Sequence, residues 1–412
     1  MELIKHRKHP STTGHHELSS GVKHIAWARA ARWAGWGFGE ALVAILIFRN
    51  SGSFLEAGLL RAVFDVALLV SIPFAGALAD KLSARYLIII ALSLYPFVGL
   101  SYLFAGLFGM ALFIVLARAL NGFLWSLENT GAAAYYRRMA EKRAVASSLG
   151  YIDTWTHFGW LGAAFAGMAM ASFVPVHWLL FLIAPVSLVA LSIARGAPLD
   201  PPEKRVEAKA GASFAKAFAA DWSEWRSWNG HLRLLGAVAV FTGFIEAFIW
   251  FFAPMYAYMR GADLSFVILL SAVGIVPSLM SYSLRQFTNA KDEYALVTGG
   301  LFGTALVIAG IAAFPHYAWM LAASFALGAA LELFTLMQSA LSSKLGSEEG
   351  REKRARAFET LATVGDISAP IVLGALLDAM NFSKVAFVVA LASAILCLVY
   401  ASIMRKHHAA AR

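Results

Sequence analysis

Two glutamates occupy matched settings deep inside long apolar runs. Glu40 lies in Gly37-Phe38-Gly39-Glu40-Ala41, and Glu246 lies in Gly243-Phe244-Ile245-Glu246-Ala247. One carboxylate has thus been placed twice, once in each half of the chain. In hydrocarbon a carboxylate costs about 2.5–3.5 kcal/mol on insertion scales unless it faces a cavity or a partner. Further acids interrupt apolar runs at Asp65, Glu128, Asp153, Glu332 and Asp366. The embedded bases are fewer: Arg61 and Arg118, with His157 as a third. So acid-rich an interior does not keep every carboxylate ionised in one low-dielectric site, and an acid that takes up a proton there is a proton carrier.

These residues fall on stripes. Arg118, Asn121, Trp125 and Glu128 follow one another at three- and four-residue steps, which is one face of a helix. Glu332 has Thr335 and Ser339 on its face, with Gln338 nearby. Glu40 shares a face with Trp33 and Gly37, and Glu246 with Gly243 and Trp250. The tryptophans of these stripes could wall an apolar ligand. Arg61 and Asp65, one turn apart, read as a pair. Asp153 and Asp366 each precede a Leu-Gly-Ala step, a place for packing or for gating, and His157 reads as a satisfied structural residue. No nucleophile or nucleotide motif accompanies them, so neither an enzyme nor a cofactor is expected. The scattered acids also lack the spacing of a metal site.

The chain that positions these groups has 412 residues, 59% hydrophobic and 14% charged, with a mean hydropathy of +0.66. Soluble domains are about 45–50% apolar and about 25% charged, so the composition is that of a polytopic membrane protein. The net charge of +9 is spread over short loops with no aromatic nucleic-acid motif, which excludes nucleic acid as the expected partner. The single cysteine, Cys397, permits no disulfide within the chain. The polar first 22 residues precede no cleavable signal.

Hydrocarbon about 30 Å thick takes roughly 20 apolar residues as helix. Runs near 24–48, 54–79, 86–106, 109–136, 145–171 and 176–195 make spans 1 to 6. Runs near 232–257, 264–285, 293–314, 317–343, 354–380 and 383–404 make spans 7 to 12. Basic residues collect on one side, at Lys81, Arg85, Arg137, Arg138, Lys142 and Arg143, and again at Arg351, Lys353, Arg354 and Arg356. Positive loops stay cytoplasmic, so both termini are expected on the cytoplasmic side of the cell membrane. The expected layout is a tail (1–22), a six-helix bundle (23–195), a cytoplasmic linker (196–231), a second bundle (232–404) and a tail (405–412). Within the linker, Phe214, Phe218, Trp222 and Trp225 recur at helical steps among charges, which suits an amphipathic helix at the membrane interface.

Six spans, a long linker and six more spans resemble the major facilitator superfamily, and local motifs agree. After span 2 comes Gly76-Ala77-Leu78-Ala79-Asp80-Lys81-Leu82-Ser83-Ala84-Arg85, which resembles the family's loop signature, with Ser83 where a second glycine is usual. Arg118-Ala119-Leu120-Asn121-Gly122 resembles the Arg-x-x-x-Gly pattern of span 4, and Glu141-Lys142-Arg143-Ala144 is echoed by Glu352-Lys353-Arg354-Ala355 before span 11. The Gly-Pro signature of many drug antiporters is missing from span 5. The resemblance implies an all-α membrane protein, twelve transmembrane helices in two pseudo-symmetric six-helix bundles. It implies a central cavity lined by spans 1, 4, 7 and 10, and Asp80 latching the cytoplasmic side near residues 353–357 at the start of span 11.

The function expected is a monomeric, proton-coupled secondary transporter of a small organic solute. The acid surplus favours export of a cationic or amphiphilic solute, with Glu40, Glu246, Glu128, Glu332 and Arg118 at the site. The alternatives are a proton-symport importer of a nutrient, a divalent-metal transporter and a non-transporting sensor. Asp80→Asn is expected to lower transport sharply with little loss of folded protein, measured as uptake per correctly folded molecule; unaltered uptake would reduce the loop motif to a turn.

Overall fold

The computed structural model describes residues 19–139, 145–201, 223–226, 228, 230–280, 293–344 and 351–410. Ten helices among them are long and apolar enough to cross a membrane. The helix Val145–Met170 and the shorter apolar stretch Leu264–Met280 stand where spans 5 and 8 were expected. Several spans are more broken than their hydropathy suggests. Span 1 divides into Ser20–Gly37 and Glu40–Asn50, and span 6 into Val176–Phe181 and Ile183–Arg195. Span 7 runs as α-helix over Gly230–Glu246, as π-helix over Ala247–Phe252, and as α-helix again over Ala253–Met259. Span 8 ends in a 3₁₀ turn, Val276–Met280. Spans 2, 3 and 4 are Phe54–Lys81, Ala84–Phe108 and Ala111–Met139, and spans 9 to 12 are Glu293–Ala313, Tyr317–Lys344, Arg351–Ala379 and Phe382–Ala410.

The duplication read from the sequence reappears in the packing. In the first half span 1 packs on span 5, span 2 on span 4, and span 3 on spans 4 and 6. In the second half span 7 packs on span 11, span 8 on span 10, and span 9 on spans 10 and 12. These are the same pairings displaced by six spans. Across the halves, span 2 packs on span 11 and span 5 on span 8. The glycines of the repeated motif make the close crossings. A Cβ on Gly37 would overlap the carbonyl of Trp160, and one on Gly243 would overlap the backbone at Gly365 and Asp366.

At the end away from the basic loops the halves are tied together by polar contacts. The Asp378 carboxylate, at the close of span 11, accepts from the backbone N–H of Phe54 at 2.8 Å and of Leu55 at 2.9 Å. It thereby caps the positive N-terminus of span 2. Arg49 donates to Tyr258 Oη, with its Nε at 3.2 Å, and Ser265 donates to the carbonyl of Met168 at 2.8 Å. Below these, the carbonyl of Pro370 leaves no room for a side chain at Gly58.

At the basic end, the start of the linker is anchored within the first half. Arg138 donates to Asp200 at 2.6 Å, the N–H groups of Ala84 and Arg85 reach it at 3.2 and 3.4 Å, and the Ser83 hydroxyl also donates to it. Ser83, the departure from the family glycine, is therefore the N-cap residue of span 3 and a ligand of the linker. Arg85 also donates to the carbonyl of Arg195, while Lys81 is exposed and Gly76 meets no close neighbour. The side chains of Asp80 and of residues 351–353, and the linker helix apart from 223–226 and 228, lie outside the described residues, as do the expected latch contact and the amphipathic helix.

Burial pushes the Asp200 carboxyl up, but hydrogen bonds from Ser83, Arg138 and the Ala84 and Arg85 backbone outweigh it and hold it below the usual carboxylate range. Its stabilisation is then present above the ordinary carboxylate range and is lost as pH falls through the lowered value. Asp200→Asn is expected to lower stability by about 1–3 kcal/mol at neutral pH, with the gap to the parent protein closing in thermal unfolding as pH falls below the ordinary carboxylate range. Asp378→Asn removes the charge from the cap between the halves. In a protein carrying Cys397→Ser and Ala44→Cys, it should speed labelling of the cavity cysteine by an impermeant thiol reagent added at the Asp378 end.

Candidate functional site

The repeated glutamates stand at the breaks in their helices. Glu40 opens the second half of span 1, directly after the Phe38–Gly39 break. Glu246 is the last α-helical residue before the π-helical stretch of span 7. Such π-segments re-aim side chains and recur at functional sites. Both glutamates line one central cavity of about 370 Å³. Span 1 adds Trp33 and Trp36 to its wall, and span 2 adds Arg61, Phe64 and Asp65. Span 4 gives Arg118, Asn121 and Trp125, and span 5 gives His157 and Trp160. From the second half come Trp250 and Phe251, then Ser271 and Ser278 of span 8, and Asp366 of span 11.

The two repeats give their glutamates different partners. Trp160 donates its indole N–H to Glu40 Oε2 at 2.7 Å. In the second half the residue against the equivalent glycine is an acid. A Cβ at Gly243, one turn before Glu246, would stand 2.9 Å from Asp366 Oδ1. Asp366 lines the same cavity as Glu246, together with Arg61 and Asp65. A donor therefore faces one repeated carboxylate, and a second carboxylate faces the other.

The remaining charges are divided between the cavity and the protein behind it. Arg61 and Asp65 form the expected pair at 2.6 Å, and both also line the cavity. Arg118 is 6% exposed; it donates to the carbonyl of Arg61 at 3.1 Å and lies 4.7 Å over the Phe64 ring. It forms no ion pair among the described residues.

Glu128 departs from expectation: it is not among the residues lining the cavity. It is 1% exposed, with Arg32 Nε at 2.7 Å from one oxygen and Arg29 at 3.7 Å from the other. The physical reason is Arg32, a base in span 1 that the count of embedded bases omitted. A buried carboxylate takes a nearby cation in preference to an open cavity. The signal was a basic residue inside an apolar run, one turn before Trp36. The Arg32 guanidinium also lies 4.5 Å from the Trp125 ring and 5.5 Å from the Trp33 ring. Glu332 is likewise absent from the cavity wall; among the described residues, span 10 contributes no lining side chain, and spans 2, 5, 8 and 11 contribute instead. The Asp153 side chain lies outside the described residues. Trp36, Trp160 and Ser271 were not singled out from the sequence, because aromatic and hydroxyl side chains are common in apolar helices.

Comparison with known proteins bears on this arrangement. The family model for the Major Facilitator Superfamily matches residues 28–368. The nucleoside transporter NupG is similar in structure at a TM-score of 0.74 and 16% identity, over 94% of this chain and 99% of that one. A D-xylose–proton symporter follows at a TM-score of 0.67 and 15% identity, over 91% and 96% of the two chains. The human organic anion transporter MFSD10 (TETRAN) gives a TM-score of 0.66 at 14% identity, over 92% and 98%. No match is found among curated proteins.

Truncating Glu128 to Ala leaves Arg29 and Arg32 buried without their carboxylate, a loss on the order of 3–5 kcal/mol. Glu246→Gln keeps shape and faces the cavity. Thermal unfolding in detergent should therefore collapse for Glu128→Ala and stay near the parent value for Glu246→Gln.

Proposed function

The chain belongs to the major facilitator superfamily, and from its cavity we propose that it is a proton-coupled secondary transporter in which Glu246 and Asp366 carry the proton. The observation behind this reading is the unequal pairing of the repeated glutamates. Glu40 has a donor in Trp160, which suits a carboxylate. Glu246 has Asp366, and two carboxylates in one apolar site relieve their repulsion by sharing a proton. The charged and titratable groups that share the cavity with the pair are Glu40, Arg61, Asp65, Arg118 and His157.

Under this reading a small organic solute binds between the halves, which rock around it, and the chain works as a monomer. Among proteins of similar fold, two are named as proton symporters, which agrees with coupling through an acid pair. The basic loops support a cell-membrane orientation with both termini cytoplasmic, and the repeated pairings support a division into bundles of 23–195 and 232–404. The expectation of an exported cation rested on counting acids. With Asp65 paired to Arg61 and Glu128 taken up by Arg32 and Arg29, that surplus shrinks, and no cation is part of the proposal.

The test uses proteoliposomes on a solid-supported membrane, challenged with pools of small solutes at two pH values. A solute that evokes current in the parent protein should evoke none with Glu246→Gln or Asp366→Asn, while still protecting both variants against heat. If both variants keep their full dependence on the proton gradient, these carboxylates are structural and the coupling site lies elsewhere.

A further inference from the structure

The first bundle buries an ion cluster that the second bundle does without. Arg32 Nε stands 2.7 Å from one oxygen of Glu128, and Arg29 stands 3.7 Å from the other. Arg29 also donates to Asn129 Oδ1 at 3.0 Å, and Arg32 donates to Tyr95 Oη. Charges thus join span 1 to span 4 inside the protein, where each ion costs several kcal/mol to desolvate.

The repeat shows what the fold itself requires there. Gly37 and Gly243 mark matching places on spans 1 and 7, and Gly122 and Gly328 mark matching places on spans 4 and 10, each against the backbone of a neighbouring span. In that register Leu235, Val238 and Ala239 stand for Arg29, Arg32 and Trp33, while Leu331 and Phe334 stand for Trp125 and Glu128. All five are buried, and spans 7 and 10 pack on one another as spans 1 and 4 do. Hydrocarbon fills this crossing in one half, so the crossing does not need ions in the other. The bases, the acid and the two tryptophans are present together in the first half and absent together in the second.

What the ions touch is the cavity wall. Trp33 and Trp125 are half-buried and both line the cavity, their rings 5.0 Å apart at a 58° tilt. The Arg32 guanidinium lies 4.5 Å from the Trp125 ring, 5.5 Å from the Trp33 ring and 4.5 Å from the Tyr95 ring. Arg32 itself is 1% exposed and is not among the residues lining the cavity. A flat guanidinium stacks on aromatic faces, and this one is oriented by Glu128 and Tyr95.

We propose that Arg32 and Glu128 are positioning residues for the cavity: Glu128 orients the Arg32 guanidinium, and the guanidinium sets the angle of the Trp33 and Trp125 rings that meet the solute. That a solute meets those rings rests on the transporter reading above; the angle of the rings does not. The test labels the protein with fluorotryptophan and identifies the fluorine NMR lines of Trp33, Trp125 and Trp250 by substituting each with Phe. Arg32→Lys keeps a cation for Glu128 but removes the flat face. It should shift or broaden the Trp33 and Trp125 lines while the Trp250 line and the melting temperature hold. A second variant copies the other half, with Arg29→Leu, Arg32→Met, Glu128→Leu and Tyr95→Phe together. Exchanging a whole buried ion cluster for apolar side chains is often neutral for stability, so this variant should fold and show the same disturbed lines. Unmoved Trp33 and Trp125 lines in either folded variant overturn the proposal. For a solute that evokes current in the parent protein, both variants should raise the half-saturating concentration about tenfold, a larger effect than on the maximal current. Disturbed lines with an unchanged half-saturating concentration overturn the role toward the solute. Failure of the transporter reading would remove the currents and leave the lines as they are, so the two failures are told apart.

Discussion

A carboxylate in a low-dielectric interior must have a donor, a cation, water or a proton, and this molecule supplies different answers for different acids. Glu128 receives two arginines and is sealed into the first bundle. Asp65 receives Arg61 but stays on the cavity wall. Glu40 receives an indole N–H. Glu246 receives another acid, Asp366. The Phe38–Gly39 break stands just before Glu40 and the π-helical stretch begins just after Glu246, and both carboxylates line the cavity between the halves.

Small residues make that geometry possible. Span 1 meets span 5 at Gly37, and span 7 meets span 11 at Gly243, each with backbone where a side chain would stand. Tight crossings carry the glutamates to the interface and bring Trp160 and Asp366 beside them. Close approach of backbones is the usual currency of packing in lipid, where apolar burial between helices gives little driving force. The duplication has therefore kept the crossing and the acid while exchanging the partner, and the two halves differ in chemistry at equivalent places.

The ends of the bundles show a related economy. Asp378 at the end of span 11 caps the start of span 2, between the halves. Asp200 caps the start of span 3 within the first half, through Ser83 and the neighbouring backbone. In both cases a carboxylate satisfies N–H groups that a helix leaves without partners, so the charges that close the structure act on helix termini as well as on other side chains.

Much of the architecture was legible in the sequence, because hydropathy, loop charge and repetition are local properties. The spans, the two-bundle layout, the Arg61–Asp65 pair and the importance of the Gly-Phe-x-Glu-Ala repeat could all be read from spacing along one chain. The stripe on span 4 was legible only in part: helical periodicity put Glu128 on a face with Arg118, Asn121 and Trp125, yet Arg32 of span 1 drew it out of the cavity wall. Which partner each acid receives depends on groups more than a hundred residues away, such as Trp160 for Glu40 and Asp366 for Glu246, and no periodicity encodes that choice. The sequence by itself determined that carboxylates would stand within apolar spans. Only the tertiary structure decided which of them would be neutralised by a cation, which would be held by a donor, and which would be left facing another acid, because a buried charge is governed by distances across the bundle.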